Sequence, residues 1–440
     1  MSMTIKCFPL LIILQLSGSA FCQSINTAKL DSFFNVLSLH NKIMGSFAIE
    51  KNGKLVYKRS IGYSNDNILD SGNTLYHIGS VTKMFTATMI FQLIDEGRLS
   101  LNSTLDKWFP AIPNSKQITI EMLLEHRSGL YDFVNDNSDK FWITSAHTKN
   151  EILNEITTGK PHFLPNTNFS YNNSGYLLLT YIIENITGHS YNDNLQKRIC
   201  TKVGLKNTYS PISNKLKLNE AASYTFSTNW QKITDIYFPN VVGVGDVLST
   251  PTDLIAFDEA LLGGKLISPS SIKLMQTFKE GYFGMGMERV PFYSHTGYGH
   301  GGDTYGTHTL VANFSDDQLI VSYCINGEAF PHNDVAIAML SVCYNSKYQI
   351  PVFKTITLSN QILDKYVGVY SNAQIPLKVT ITNSQGVLTA QGTGQPSFTL
   401  EAVENDKFKQ DVLGVTMSFD SEKKEMTLNQ AGGIFLFKKD

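Results

Sequence analysis

Leu30, Phe33, Phe34 and Leu37 recur at intervals of three and four residues, which is the apolar stripe of an amphipathic helix. Two strand-like runs follow, 46–50 and 54–61, separated by Asn52-Gly53. An Asn-Gly pair between such runs predicts a hairpin with a type I′ turn, because that turn needs positive φ at both central residues. From about 80 to 274 the pattern is mostly helical. Helices are predicted over 80–96 (stopped by Gly97), 175–186 (stopped by Gly188) and 191–199. A second hairpin, 308–314 and 318–325 around Ser315-Asp316-Asp317, precedes a helix over 334–344. Helix then hairpin at one end, hairpin then helix at the other, predict a single sheet built from both ends of the domain, with the helical middle inserted as a lobe. Beyond about Leu363 the texture changes to short alternating stretches, 377–382, 387–391, 397–402, 415–419, 425–428 and 434–437, separated by Gly, Asn and Asp turns. The fold class read from this is α/β (α+β): an antiparallel sheet flanked by helices with an inserted all-helical lobe, plus a small C-terminal antiparallel β-barrel. The expected boundaries are a leader at 1–22, a mixed domain at 23–345, a linker at 346–362 and a small β-barrel-like domain at 363–440.

The leader is separate from this pattern. Lys6 precedes an apolar run, 7–16, interrupted by Pro9 and Gln15, and small residues follow at Ser17, Gly18, Ser19 and Ala20. This predicts a cleaved secretory signal peptide with cleavage near Cys22-Gln23, and hence a periplasmic location. The run is too short to span a bilayer, which takes about 20 residues. A lipid anchor on Cys22 is the rival reading, disfavoured by the bulk of Phe21 before it. Of five cysteines, those outside the leader are Cys200, Cys324 and Cys343, too few and scattered for a disulfide framework. Cys324 and Cys343 could pair, but each lies in an apolar pattern where a small buried thiol is the simpler reading. No Cys or His spacing matches a zinc site, so no metal or cofactor is expected.

Composition narrows the function. With 42% hydrophobic and 17% charged residues the chain is globular, and its net charge of −2 leaves no broad basic surface for nucleic acid. The expected partner is a small-molecule or peptide substrate, with cell-wall peptide among the candidates.

Three segments could carry chemistry. Ser80-Val-Thr-Lys83 opens a predicted helix, where residues three apart share a face, so the Lys83 amine can sit beside the Ser80 hydroxyl. A serine needs such a base to act as a nucleophile at neutral pH, and a helix mouth favours the negative charge of an acyl tetrahedral intermediate. The bland reading is an N-cap serine with a solvated lysine, and S-x-x-K also occurs at Ser270–Lys273 and Ser421–Lys424. Tyr171-Asn-Asn173 lies in a polar loop before a helix, where a phenol and an amide could enter a cleft; Y-x-N recurs at Tyr63–Asn65 and Tyr370–Asn372. Tyr298-Gly-His300-Gly-Gly302-Asp303 precedes a strand, and its glycines permit close approach of another backbone. His295-Thr-Gly297 competes with His300.

Taken in order, Ser80…Lys83, Tyr171…Asn173 and His300…Gly302 resemble the serine β-lactamase and penicillin-binding-protein family, in its class C β-lactamase, D,D-carboxypeptidase, D-aminopeptidase and esterase branch. The flanks 123–130, 169–176, Gly243-Val-Gly245 and 249–254 resemble it too, over about residues 30–344. The tail is similar to the lipocalin-like barrels that follow some members. The resemblance implies a β-lactamase-like hydrolase domain at 23–345 and an acyl-enzyme on Ser80. Lys83 and Tyr171 would share the acid and base work, and Asn173 would bind the substrate amide. The backbone N–H groups of Ser80 and Asp303 would form the oxyanion hole, with His300 and Gly302 on the substrate-holding strand edge. The implied activity is cleavage of an amide or ester, with a D-amino-acid-containing peptide as the expected substrate. The alternatives are a non-catalytic penicillin-binding or sensor protein, an esterase or a weak β-lactamase. His300 stands where penicillinases of the branch carry lysine, which argues against efficient β-lactam hydrolysis. A histidine there, with an ordinary pKa of about 6.5, would favour anionic substrates in mildly acidic buffer.

Overall fold

Asn52 and Gly53 both take positive φ, 55° and 68°, and β1 (Ile43–Lys51) and β2 (Lys54–Ile61) accordingly pair as an antiparallel hairpin. The structure, a computed structural model, describes residues 25–440 except 67, 140, 228, 280, 354, 355, 373, 374 and 431. The leader, with Cys7, Cys22 and the cleavage site, lies outside the described residues.

Before β1 runs α1 (Thr27–Leu39), and after it α2 (Thr82–Asp95), α3 (Asn173–Thr187), the short strand β3 (Tyr224–Phe226) and α4 (Pro251–Leu262). The chain then forms β4 (Glu288–Phe292), β5 (His295–Asp303), β6 (His308–Phe314), β7 (Leu319–Glu328) and α5 (His332–Cys343). The main sheet has the order β2-β1-β7-β6-β5-β4, antiparallel throughout, so the two ends of the domain meet at the β1/β7 seam, where Phe47 faces Tyr323. One face is covered by α1 and α5: Leu30, Phe33 and Phe34 pack with Val335 and Met339 over Phe47 and Val321. The other face carries the lobe. Coverage on both sides buries all of β7 but Glu328, which is why that strand reads as an almost continuous apolar run.

Helix α2 runs through the middle of the lobe, with every residue from Thr82 to Leu93 buried. The lobe is not all-helical. Strand β3 pairs with Trp230–Lys232 and adds to β7 in parallel, Tyr224 beside Gly327. Strands of three residues are too short to show a period, which is why the sequence pattern missed them.

At the C-terminus eight antiparallel strands close a barrel, sealed by Tyr370 opposite Lys439. Two of them, Gly368–Ser371 and Lys407–Gln410, have only four residues each, too few for alternation to mark them in the sequence. The barrel has its own core, including Tyr370, Val379, Met417 and Phe437. The buried Lys42 amine ties it to the first domain through Glu401 (2.5 Å) and Asp411 (3.5 Å). A cavity of about 660 Å³ opens at its mouth, where Leu377, Met417 and Leu428 face Phe226 and Glu328. Cys200, Cys324 and Cys343 are all free thiols. No helix among the described residues is long and apolar enough to cross a membrane.

Candidate active site

Ser80 lies in a 3-10 turn, Gly79–Val81, that leads into α2, so the helix itself begins at Thr82. The turn is held from behind by Ile78 N–H donating to the Val247 carbonyl at 2.9 Å. No side chain caps this turn. The Ser80 hydroxyl is therefore not spent on capping; it accepts from the Lys83 amine at 3.0 Å. Lys83 is completely buried and gives a second hydrogen bond to the Val244 carbonyl at 3.1 Å. The Val244 loop is fixed in turn, Gly243 N–H donating to the Asp246 carboxylate at 2.7 Å. Burial lowers the Lys83 pKa to about 7, against the pull of Asp132 and Glu288, which would raise it.

Tyr171 comes from the loop before α3. Its ring lies 4.9 Å from the Lys83 amine and stacks on His126 with centroids 4.3 Å apart. Its hydroxyl is buried and makes no complete hydrogen bond. Burial holds its pKa well above the usual phenol value, although the facing Ser80 hydroxyl draws it partway down. Tyr171 is thus a neutral phenol at physiological pH. The His126 ring nitrogen Nδ1 accepts from Asn172 N–H at 3.0 Å, and burial keeps this imidazole neutral, its pKa well below normal.

Asn173 is the first residue of α3 and its carboxamide is turned to Asp132. Nδ2 donates to both carboxylate oxygens, at 3.0 and 3.3 Å, and the backbone N–H donates at 3.1 Å. What it retains for a substrate is its carbonyl oxygen.

Strand β5 brings the third segment beside the serine turn, and the glycines show how tightly. A methyl group on Gly302 would stand 2.0 Å from the Ile78 carbonyl oxygen and 2.9 Å from Ser80 N; one on Gly79 would stand 2.7 Å from Asp303 N. Gly79 also has φ of +52°, a conformation that disfavours side chains. The backbone N–H groups of Ser80 and Asp303 are neighbours because neither glycine carries a side chain. His300 is buried at 2% exposure. Its Nδ1 meets the Gly301 carbonyl and lies 3.4 Å from Glu288, which also accepts from Gly301 N–H at 3.0 Å. Burial lowers the His300 pKa, more than Glu288 raises it.

Ser80, Lys83, Tyr171, Asn173, His300, Gly302 and Asp303 therefore gather at one place. The competing residues do not. His295 pairs with Asp317 at 2.9 Å and stacks on Tyr344, on the α5 side of the sheet. Ser270 and Lys273 are exposed on the helix Pro269–Met275, and Ser421 and Lys424 are exposed in a turn of the barrel. Sequence reasoning missed Asp132, Glu288 and Phe283, whose ring lies near those of Tyr171 (5.3 Å) and His300 (6.4 Å). Only Asp132, two residues past the flank 123–130, stood near a recognised signal.

Gly302→Ala is expected to lower kcat about 100-fold while the chain still folds, since a displacement of about 1 Å in reacting groups costs that much. Unchanged kcat would show that the Gly302–Ser80 approach has no bearing on turnover.

A serine with a buried amine at a helix mouth, under a strand edge, is the geometry of an acyl-transfer enzyme. The chain belongs to the β-lactamase family, whose description "Beta-lactamase" matches residues 40–343, and it is a serine hydrolase of the β-lactamase and penicillin-binding-protein type. A penicillin-binding protein of Bacillus subtilis (strain 168) is 26% identical over 425 residues, 89% of this chain and 93% of that one. The teichoic acid D-alanine hydrolase of Staphylococcus aureus is 29% identical over 233 residues, 51% of this chain and 56% of its own. Among solved structures, the D-amino acid amidase of Ochrobactrum anthropi SV3 superposes with a TM-score of 0.63 at 23% identity, covering 73% of this chain and 100% of that one. An octameric penicillin-binding protein homologue from Pyrococcus abyssi gives 0.64 at 22% identity, covering 94% and 100%. At these identities the structural likeness speaks to the fold.

Proposed function

We propose that this is a secreted, periplasmic serine hydrolase that forms an acyl-enzyme on Ser80 and cleaves an amide or ester bond in a D-amino-acid-containing peptide, as a carboxypeptidase or aminopeptidase. The observation that carries the reading is the buried Lys83 amine, 3.0 Å from the Ser80 hydroxyl, with a pKa near 7. A neutral amine there takes the serine proton as Oγ attacks the carbonyl. The protonated phenol of Tyr171 is suited to the other half of the work. It donates to the leaving amine and is re-supplied by Lys83, so Lys83 is the first base and Tyr171 the acid. The oxyanion is received by the N–H groups of Ser80 and Asp303. The Asn173 carbonyl oxygen accepts from the substrate amide, and the backbone around His300 and Gly302 lies along the substrate. Water then repeats the sequence to release the acyl group. The D-alanine hydrolase among the similar proteins supports the substrate class, and the leader pattern at 1–22 supports export.

The test is a panel of peptides ending in D-Ala-D-Ala, D-amino acid amides, their L counterparts, short esters and nitrocefin. The D substrates are expected to exceed the L forms at least ~100-fold in kcat/KM, about 2.7 kcal/mol of differential transition-state binding. Equal rates for D and L forms would overturn the substrate class. A fluorescent penicillin adduct that never turns over, with no substrate cleaved, would point instead to a binding or sensor protein.

A further inference from the structure

Three side chains from three separate elements converge at the far end of β5. Asp303 ends β5, His308 begins β6 and His332 begins α5. One ligand atom from each lies within 4.8 Å of those of the other two. The two imidazole rings stack with centroids 4.4 Å apart and planes 10° from parallel. Glu328, the last residue of β7, sets that arrangement. Its Oε2 lies 2.9 Å from both His308 Nε2 and His332 Nδ1, and its Oε1 accepts from the His332 backbone N–H at 3.4 Å. This carboxylate is fully engaged, and it settles which nitrogen of each ring is left over: Nδ1 of His308 and Nε2 of His332. Asp303 Oδ1 stands 2.7 Å from that His308 Nδ1.

We propose that Asp303, His308 and His332 bind one divalent transition-metal ion of the zinc class, with Glu328 as the carboxylate that orients both imidazoles. Histidine ligands regularly give their second N–H to a carboxylate, which fixes ring orientation and tautomer; here one carboxylate serves two rings. Two nitrogens and one oxygen suit Zn²⁺ and its neighbours Co²⁺, Ni²⁺ and Cu²⁺, and disfavour Mg²⁺ and Ca²⁺, which take oxygen ligands. Zinc bonds of about 2.0–2.2 Å place tetrahedral ligand atoms roughly 3.3 Å apart. The Asp303–His308 pair has to open by about half an ångström, and the third ligand has to close in. Asp303 is exposed and both imidazoles are half-buried, so side-chain rotation suffices. His308 has a carboxylate at each ring nitrogen, Asp303 at Nδ1 and Glu328 at Nε2, so the ion must displace the Nδ1 proton to solvent, and a fourth position stays open to water. No short-range spacing marks the site, because its ligands stand at 303, 308 and 332 on three elements. The same strand end abuts the Ser80 turn through Gly302 and Asp303, so a bound ion would anchor that edge of the cleft.

The experiment is a calorimetric titration of Zn²⁺ into the untagged, chelator-stripped full chain. One ion per chain is expected. His332→Ala is expected to weaken it at least about 100-fold, and Glu328→Gln about 10- to 100-fold, though Glu328 is no ligand. His295→Ala, a histidine paired elsewhere, should leave the affinity unchanged. Bound Cu²⁺ should show electron paramagnetic resonance coupling to two imidazole nitrogens, reduced to one in His332→Ala. No Zn²⁺ binding by the wild type, or equal binding by the His332→Ala and Glu328→Gln variants, would overturn the site and leave an ion-pair cluster only.

Discussion

Ser80→Ala is expected to lower kcat by at least ~10⁴-fold, with the folded state retained. Loss of the nucleophile leaves only the assistance of the surrounding hydrogen-bond donors and substrate binding, and removal of a catalytic serine in comparable machinery costs this much or more. The fold should tolerate it because no apolar group is lost from a core and no helix cap is removed; the hydroxyl accepts from Lys83 and faces the Tyr171 phenol. The amine keeps its second acceptor, the Val244 carbonyl, so the stability change should stay within about 1 kcal/mol. Fluorophosphonate labelling measured beside turnover and thermal unfolding checks both halves. Ser270→Ala, at an exposed serine bonded to Ser268, should label as the wild type does. Label retained in Ser80→Ala and lost in Ser270→Ala would refute the assignment of the nucleophile.

Lys83→Met is the second large effect, an expected fall in kcat/KM of ~10³-fold or more, within the range of general-base contributions. In the wild type kcat/KM should rise with pH through about 7 and level off above it, because only the neutral amine accepts the serine proton. The variant should lose that step. Stability should respond in a coupled way. The amine titrates near 7 when folded and near about 10.4 when unfolded. Between these values the unfolded chain binds more protons, so wild-type stability rises with pH by up to about 1.4 kcal/mol per unit. Below pH 7 the full cost of burying the charge is present. The stability of Lys83→Met relative to wild type should therefore be most favourable below pH 7 and decline towards pH 10. A variant with an unaltered pH–rate step would exclude Lys83 as the base. The same titration revises the expectation for His300. Burial lowers its pKa from the ordinary value, so it protonates only as the pH falls into the range where Lys83 is increasingly charged and lost as a base. Anionic and neutral substrates should accordingly give parallel profiles rising through pH 7, and an acidic optimum for the anionic one alone would contradict this.

Local order was legible in the sequence wherever a short-range rule applies. Asn52-Gly53 specifies its turn because few other pairs accept positive φ twice. Alternation located six of the eight barrel strands, and i, i+3 spacing placed the Lys83 amine beside Ser80 on neighbouring positions of one turn. The order of three motifs along the chain was enough to point to a serine acyl-transfer family. Short-range rules end where contacts are long-range. The three-residue strand β3 exists because β7 offers it a partner a hundred residues away. His300 and His295 stand in similar glycine contexts, and the sheet separates them by sending one towards Ser80 and the other to Asp317 and Tyr344. The pKa of Lys83 and the neutrality of Tyr171 belong to no motif. They follow from desolvation by packed neighbours, and the Asp132 and Glu288 carboxylates that temper Lys83 stand 49 and 205 residues away in sequence. Residue types and their spacing along one chain thus determined which groups this protein could use. Burial, which depends on every element packed around a group, decided their charge states and which of the candidates share a site.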